Sequence, residues 1–285
     1  MPSHFVKKKP AGQVTRGKTA RNRLRRVDNF VAVYDPDLLR RRDGAFQDAL
    51  WVDLGYGGEP FTALETAQRW RRMAPQLKGL GVEIDAERVR RAESFADETM
   101  TFRLGGFNLP LRAGESVRLV RAFNVLRQYD PEDVDEALAH VARGVLPGGL
   151  LVEGTSDPPG RVWVANILRR RGDQDVAQRD EPPGRALWHR EALGLSTNFR
   201  KGFDPVLHQA VLPKDLIHEM EPCTAIYDFF EQWKASIRDH RSWADWGLRQ
   251  WFVAAAHGLR KRGFAVDLNR RRLRQGFLVW RSPEL

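Results

Sequence analysis

The stretch ALWVDLGYGGEP, residues 49–60, decides how this chain folds. It begins with an apolar run that carries one acid, Asp53, near its end, which is typical of a strand buried on both faces. Gly55 and Gly57 follow, and glycine allows backbone conformations and close ligand approach that other residues prevent. Pro60 suits the first turn of a helix, where its missing N–H leaves no hydrogen bond unmade. The stretch therefore predicts a strand, a glycine turn and a helix.

The same rhythm of strand, turn and helix continues beyond this stretch. Short apolar runs occupy residues 80–84, 101–104, 117–123 and 150–153, and turn or helix-start residues separate them. Five strands that alternate with helices favour a parallel sheet with right-handed crossovers. Two further apolar runs near the C-terminus predict an antiparallel pair. We therefore predict an α/β fold with a doubly wound, mostly parallel, seven-stranded Rossmann-like sheet.

The chain divides into four predicted regions. Its 285 residues suit one α/β core with an insertion better than two full domains. The first region is polar and basic, and the regular rhythm breaks after the fifth strand and resumes near the end. The regions are a basic flexible tail (1–28), an α/β core (29–154), a β/α insertion or substrate lobe (155–262), and C-terminal antiparallel strands that complete the sheet (263–285).

Positive charge is concentrated at the two ends of the chain. The net charge is +10, of which residues 1–26 carry +9 and residues 260–285 carry +6, whereas the middle is net −5. Such asymmetry favours a polyanionic partner, and nucleic acid before a membrane surface. A solvated tail that only aids solubility explains the N-terminal charge equally well. The candidate nucleic-acid contacts are Lys7, Lys8, Lys9, Arg270, Arg271 and Arg272.

The composition of the chain indicates in which cellular compartment the protein works and which kinds of disulfide, membrane span and metal site it can contain. Cys223 is the single cysteine, so an internal disulfide is impossible and a reducing compartment, the cytoplasm, is expected. No apolar run approaches the roughly 18 residues of a membrane span. The histidines are scattered without the spacing that zinc ligands require, so we predict no metal site.

The acid before the glycine turn narrows the ligand class. A dinucleotide fingerprint needs a third glycine five residues after the first, but Pro60 stands there. An acid such as Asp53 would also repel a pyrophosphate. A ligand with an amino group and a sulfonium would instead be attracted to it.

Residues 48–154 resemble the class I S-adenosylmethionine-dependent methyltransferases. Asp53-Leu54-Gly55-Tyr56-Gly57 is similar to the first motif of that family, and residues 80–85, with Glu83 at the strand end, are similar to the second. Segments 108–111, 121–126 and 146–151 resemble the family's later motifs in the same order. The resemblance implies a methyltransferase whose cofactor is S-adenosylmethionine.

The resemblance also implies roles for individual residues. Glu83 would accept the ribose hydroxyls, and Asp53 would hold the amino-acid end through the glycine turn. The acid that the family often places near the adenine is missing, because Gly105-Gly106-Phe107 stands there, and Phe107 would wall the adenine instead. The implied cofactor-binding residues are Asp53, Gly55, Tyr56, Gly57, Glu83, Ile84, Gly106 and Phe107.

Several alternatives remain open at the level of the sequence. Asn124 either orients the acceptor near the methyl group, as a catalytic residue, or satisfies a strand-end carbonyl. The tryptophans at 233, 243, 246 and 251 recur at near-helical spacing, which favours core or lobe-interface packing over a nucleobase platform. RNA is the favoured acceptor. The rivals are a small-molecule methyltransferase with residues 155–262 as a lid, and a non-catalytic nucleic-acid-binding protein on a methyltransferase scaffold.

Overall fold

A single eight-stranded sheet organises the chain, whose computed structural model describes residues 9–17, 19–176 and 182–281. The strand order is β3-β2-β1-β4-β5-β6-β7-β8. The first five strands in this order run parallel, and the remaining pairings, β5 with β6, β6 with β7 and β7 with β8, are antiparallel. The strands are β1 (Leu50–Leu54), β2 (Gly79–Glu83), β3 (Met100–Leu104), β4 (Val117–Phe123), β5 (Val145–Ser156), β6 (Val162–Arg170), β7 (Trp188–Thr197) and β8 (Phe277–Trp280).

Helices cover both faces of the sheet. They are α1 (Arg25–Tyr34), α2 (Pro36–Arg40), α3 (Phe61–Arg71), α4 (Ala86–Glu93), α5 (Pro131–Ala142), α6 (Asp173–Val176), α7 (Pro183–Ala186), α8 (Pro205–Gln209), α9 (Lys214–Ile217), α10 (Ala225–Asp239), α11 (Leu248–Lys261) and α12 (Arg270–Arg274). Three 3₁₀ turns span Gly44–Phe46, Leu126–Gln128 and Arg241–Trp246. Within the described residues, none of the helices has the length and apolar character needed to cross a bilayer.

Alternating strand residues supply the core on each face. Trp51 of β1 and Trp163 of β6 point to one side, where α1, α2 and α3 pack over them. Val52 of β1 points to the other side, toward α5. Val164 of β6 shares that second side and meets the helices α8 to α11. A parallel sheet that is covered on both faces needs strands that are apolar throughout, as residues 49–54 predicted. The doubly wound α/β fold is confirmed.

The predicted strand count and the predicted insertion both differ from the structure. The sheet has eight strands rather than seven. Two of them, β6 and β7, belong to the stretch 155–262, which the sequence predicted to be a lobe. They join the core sheet because their side chains are buried on both faces, as an internal strand requires. The helices of that stretch pack on one face of the same sheet.

The two ends of the chain also differ from expectation. Up to residue 281, where the described C-terminal part ends, only residues 277–280 form a strand. The helix α12 occupies the predicted turn, and the partner segment contributes a single bridge, between Val266 and Trp280. The predicted flexible tail reached residue 28, but α1 begins at Arg25 and buries Val27 against the sheet. Residues 9–17 and 19–24 are mostly exposed but are tied to the rest of the molecule by hydrogen bonds, and Leu24 is buried.

Candidate functional site

A cleft opens at the carboxyl ends of the central strands. It has a volume of about 630 Å³, which is within the range of small-molecule sites. The glycine turn after β1 forms one wall, and the end of β4, with Phe123 and Asn124, forms another. In an open α/β sheet, ligands bind at this edge where the strand order reverses, here between β1 and β4.

The glycine turn requires glycine at two positions. Gly55 has a φ of 70° and Gly57 a φ of 88°, which side-chain-bearing residues rarely adopt. A Cβ atom on Gly55 would lie 2.7 Å from Cγ2 of Val125, and one on Gly57 would lie 2.4 Å from Oγ1 of Thr19. The turn therefore brings bare backbone to the floor of the cleft.

Glu83 ends β2 and joins that strand to the glycine turn. Its Oε2 accepts a hydrogen bond from the backbone N–H of Gly57 at 2.9 Å. Its Oε1 accepts from the N–H of Ile84 at 3.0 Å, and the guanidinium of Arg88 lies 3.5 Å away. Because each carboxylate oxygen has two acceptor positions, Oε2 retains one for a ligand hydroxyl. Glu83 thus fits the ribose contact that the resemblance implies.

Asp53 ends β1 beside Glu83, but its charge is already balanced. Arg121 of β4 donates to both carboxylate oxygens, from Nε at 3.1 Å and from Nη2 at 2.6 Å. Thr62 donates to Oδ2 at 3.2 Å. Asp53 lines the cleft, yet both of its oxygens are engaged by the protein. The structure therefore offers the cofactor's amino group a neutral pair rather than an isolated carboxylate.

Arg121 belongs to a buried network that sequence analysis missed. The guanidinium also contacts Asp28 of α1, and Arg69 of α3 donates to the same carboxylate at 2.6 Å. Burial raises the pKa of Asp28, although the charges of Arg121 and Arg69 oppose the shift. Burial disfavours the charge of Arg121, but Asp53 and Asp28 together outweigh it and raise the pKa of its guanidinium. A signal was available, since an arginine inside an apolar strand requires a buried partner.

The remaining predicted cofactor residues fall into two groups. Ile84, Gly106 and Phe107 line a small cavity next to Glu83, on the adenine side of the cleft. Tyr56 turns its ring away into the core, where it packs against Phe102 at 5.3 Å between centroids. Burial, with Glu83 and Asp53 nearby, raises the pKa of the Tyr56 hydroxyl. The backbone of Tyr56, rather than its ring, belongs to the turn.

The segment that was predicted to be a tail crosses this cleft. We call residues 9–17 and 19 the N-terminal strap. Its backbone bonds to the loop after β3, where Phe107 N–H donates to Ala11 O at 2.9 Å. It bonds to the end of the 3₁₀ turn after β4, where Gln13 N–H donates to Tyr129 Oη at 2.7 Å. It reaches the glycine turn as well, where Gly58 N–H donates to Gly17 O at 2.8 Å.

The strap closes the adenine side of the cleft. Ala11, Gln13 and Thr15 roof the cavity beside Glu83, which has a volume of only about 20 Å³. A cavity of that size holds about one water molecule. An adenine ring would enter there only if the strap were displaced. The larger cleft beside it stays open.

Asn124 lies at the entrance of the cleft, but its amide is committed to the neighbouring strand. Its Oδ1 accepts from the N–H of Ser156 at 3.0 Å, and its Nδ2 lies 3.3 Å from Ser156 Oγ. Its backbone adopts a φ of 61°. The side chain of Asn124 therefore bonds to an N–H and a hydroxyl at the end of β5 rather than to the carbonyl that the structural alternative named. The catalytic role of Asn124 stays a prediction.

Arginines supply the positive charge around the open part of the cleft. Arg16 of the strap, Arg23 and Arg127 all line it. Arg127 is held in place because it donates to Leu212 O at 2.7 Å and to Ala210 O at 3.2 Å. With Asp53 neutralised by Arg121, the lining carries a net positive charge, which favours an anionic acceptor.

A third buried carboxyl group lies in β5, three residues before the end of that strand, in a different environment. Glu153 of β5 is 3% exposed and accepts from Asn166 Nδ2 at 3.2 Å. Asn166 also donates to Asp215 at 3.0 Å, and Arg190 pairs with that aspartate. Burial, and then the negative charge of Asp215, raises the pKa of Glu153 to about 8. Glu153 is therefore largely protonated at neutral pH.

The predicted nucleic-acid contacts are distributed unevenly. Lys7 and Lys8 lie outside the described residues, and Lys9 is an exposed residue of the strap. Arg270 and Arg271 are exposed on α12. Arg272 is not available in the same way, because it pairs with Asp267 and donates to the carbonyl of Tyr34 at 3.2 Å.

Comparison with known proteins gives only distant likenesses. No protein-family model matches the chain, and no curated protein matches it in sequence. Among solved structures, a chain of the complex that contains the Haloferax volcanii Trm112 methyltransferase activator is 24% identical, with a TM-score of 0.30 over 45% of this chain and 56% of that one. SAM-bound CalS10, an amino pentose methyltransferase from Micromonospora echinaspora, is 16% identical, with a TM-score of 0.36 over 64% and 69%. The YcgJ protein from Bacillus subtilis is 26% identical, with a TM-score of 0.29 over 37% and 44%.

The assignment of the fold rests on the topology of the sheet. The parallel order β3-β2-β1-β4-β5 with helices on both faces is that of a doubly wound, Rossmann-like sheet, as the sequence predicted, and the strands beyond β5 are antiparallel. The two acidic strand ends stand at the predicted edge. The chain has the doubly wound α/β fold of the class I S-adenosylmethionine-dependent methyltransferases.

Proposed function

We propose that this chain is an S-adenosylmethionine-dependent methyltransferase whose acceptor is RNA. The observation that carries the proposal is the position of Glu83, which lines the small cavity beside the cleft, next to a bare glycine turn, while one acceptor position of its Oε2 remains open. A buried carboxylate oxygen with one open acceptor position binds a hydroxyl group, as a ribose presents.

The residues of the chain position the reactants rather than supply strong acid or base chemistry. When bound, the cofactor supplies a methyl group already activated by its sulfonium, so orientation of the acceptor is the main requirement. Glu83 holds the ribose, and the turn at Gly55 and Gly57 admits the methionine end. Phe123 excludes water from the acceptor side, where Arg23 and Arg127 attract an anionic substrate.

RNA is favoured over a small molecule by the charge around the cleft. Arg16, Arg23 and Arg127 line its open part, and the strap that carries Arg16 continues into the basic N-terminus. A polyanion satisfies more than one of these cations at once, whereas a small acceptor does not.

Transfer of a radiolabelled methyl group tests the reaction and the acceptor together. The purified full-length chain is incubated with labelled S-adenosylmethionine and either total RNA or a metabolite extract free of nucleic acid. We expect label in the RNA fraction and a loss of that label in the Glu83→Gln variant. Label that appears only in the metabolite fraction would contradict the RNA assignment.

A non-catalytic nucleic-acid-binding protein is the second candidate, and one observation favours it. The strap leaves about 20 Å³ on the adenine side, so the cofactor must displace protein contacts to bind. Calorimetry with S-adenosylhomocysteine separates the two candidates. Binding with a dissociation constant in the micromolar range supports the enzyme, and no heat at millimolar ligand, with or without residues 1–19, supports the scaffold.

A further inference from the structure

The two basic ends of the chain meet in the folded molecule. Arg26 of α1 donates from Nη2 to Gln275 O at 2.7 Å, directly after α12. Arg249, in the first turn of α11, donates to Arg274 O at 2.5 Å. We define the arginine ridge as Arg25, Arg26, Arg249 and Arg274. We propose that this ridge binds the phosphodiester backbone of a single-stranded nucleic acid and leads it into the cleft.

The ridge carries uncompensated positive charge. Within the described part of the chain, none of its four arginines forms an ion pair with a carboxylate, although Arg272 nearby pairs with Asp267. Burial, and then the like charges of Arg249 and Arg25, lowers the pKa of Arg26 to about 10. Guanidinium groups that repel one another in this way are stabilised when an anion binds between them.

The sheet register places the ridge within reach of the cleft. Ser156, Trp163, Ser196 and Phe277 pair in one row across β5, β6, β7 and β8. Arg23, which lines the cleft, donates to Ser156 Oγ at 3.2 Å, and Arg26 donates to Ser196 Oγ at 2.8 Å. Neighbouring strands lie about 4.8 Å apart, so the row spans about 14 Å. Charge spread over that length suits a polymer of phosphates rather than a single anionic group.

Exposed aromatic side chains lie beside the ridge along the chain. Trp246 is 74% exposed and Trp243 is 47% exposed. Both belong to the 3₁₀ turn that leads into α11, and Trp246 lies three residues before Arg249. The sequence predicted core or lobe-interface packing for both, which the structure contradicts, whereas Trp233 is buried as expected. Bases stack on exposed aromatic faces whatever their sequence. A surface that binds single strands needs cations for the phosphates and aromatic faces for the bases, and the arginines and tryptophans of this region supply these two kinds of side chain.

Fluorescence anisotropy with a labelled 20-nucleotide single-stranded RNA tests the ridge. The full chain is compared with the double variant Arg25→Gln/Arg274→Gln, which changes two exposed side chains. The matched control is Arg40→Gln/Arg42→Gln, with the same charge change at exposed positions beside the amino end of β4. We expect the ridge variant to bind at least tenfold more weakly and to lower the slope of log affinity against log salt by about 1.4. The control variant should bind like the unaltered chain.

The Trp246→Ala variant provides an independent readout. Loss of a stacking partner weakens binding about fivefold or more but leaves the salt slope unchanged, because no charge is removed. Equal losses of RNA affinity in the ridge and control variants would overturn the proposal. Displacement of the bound RNA by poly-glutamate at the same concentration of negative charge would overturn it as well. This proposal depends on the proposed function only in taking RNA as the acceptor. Calorimetry with S-adenosylhomocysteine on the same variants measures cofactor binding separately, so a failure of the ridge can be told apart from a failure of the enzyme assignment.

Discussion

Asp53 and Glu83 end neighbouring strands and are both 2% exposed, yet the protein compensates their charges in opposite ways. Asp53 is paired with the guanidinium of Arg121, a full opposite charge from the next strand. Glu83 is held chiefly by backbone N–H groups at the glycine turn and at Ile84. Similar motif positions therefore give one carboxylate held by a short buried ion pair and another held mainly by backbone donors, with Arg88 at 3.5 Å and one acceptor position of Oε2 left for a ligand.

The largest expected effect comes from removing the cation on the Asp53 side. The Arg121→Met variant leaves Asp53 and Asp28 buried without their shared partner, and such a loss costs about 3–5 kcal/mol in the free energy of unfolding. Urea denaturation measures it. Arg69→Met is the control, because Arg69 contacts the same Asp28 from a side chain that is 21% exposed, and about 1 kcal/mol is expected there. Equal losses in the two variants would contradict the proposed buried network.

Glu153 extends the comparison to a buried carboxyl group whose negative charge is not balanced by a paired cation among the residues that the structure describes, and which accepts a side-chain hydrogen bond from Asn166. Its folded pKa of about 8 lies above the ordinary value of 4.5, so its contribution to stability is full below pH 4.5 and is lost as the pH rises through 8. The Glu153→Gln variant removes this dependence. At pH 8.5 it should be more stable than the unaltered chain, by on the order of 1–3 kcal/mol. Thermal unfolding between pH 5 and pH 8.5 measures the difference, and parallel curves for the two proteins would refute it.

Glu83→Gln tests the carboxylate that we assign to the ligand. The change keeps the shape of the side chain and removes its charge, so affinity for S-adenosylhomocysteine should fall about 10- to 100-fold, or roughly 1.4–2.7 kcal/mol. The free energy of unfolding should change less than in Arg121→Met. Calorimetry gives the affinity, and Glu87→Gln, at an exposed position on α4, is the control. Unchanged affinity in Glu83→Gln would remove the basis of the enzyme assignment.

Arg88→Gln should give the smallest effect. Arg88 lies near Glu83 and donates to Thr15 O of the strap at 3.0 Å. The variant therefore loses the contact with Glu83 and the hydrogen bond to the strap. Stability should fall by less than about 1 kcal/mol. Amide hydrogen exchange in residues 13–17 should become faster, while exchange in β1 stays unchanged. Unaltered exchange in the strap would show that Arg88 does not hold it.

The sequence predicted the parallel half of the molecule well and the site only in part. Strands β1 to β4 are apolar runs of five to seven residues, so local pattern alone locates them. The predicted run 150–153 located only the middle of β5, which spans Val145–Ser156. The pairing of Arg121 with Asp53 spans 68 residues and that with Asp28 spans 93. Local pattern carries no information on such distant pairs. The strap was missed for another reason, because a polar segment without periodicity looks like a disordered one.

The strap also imposes an order on assembly. Its hydrogen-bond partners Asn108, Gln128 and Tyr129 lie 97 to 116 residues further along the chain. During synthesis, the segment that leaves the ribosome first must therefore wait until the fourth strand and its following turn have emerged. The roof of the cavity beside Glu83 therefore cannot form before Tyr129 has emerged, although it belongs to the first segment that is made.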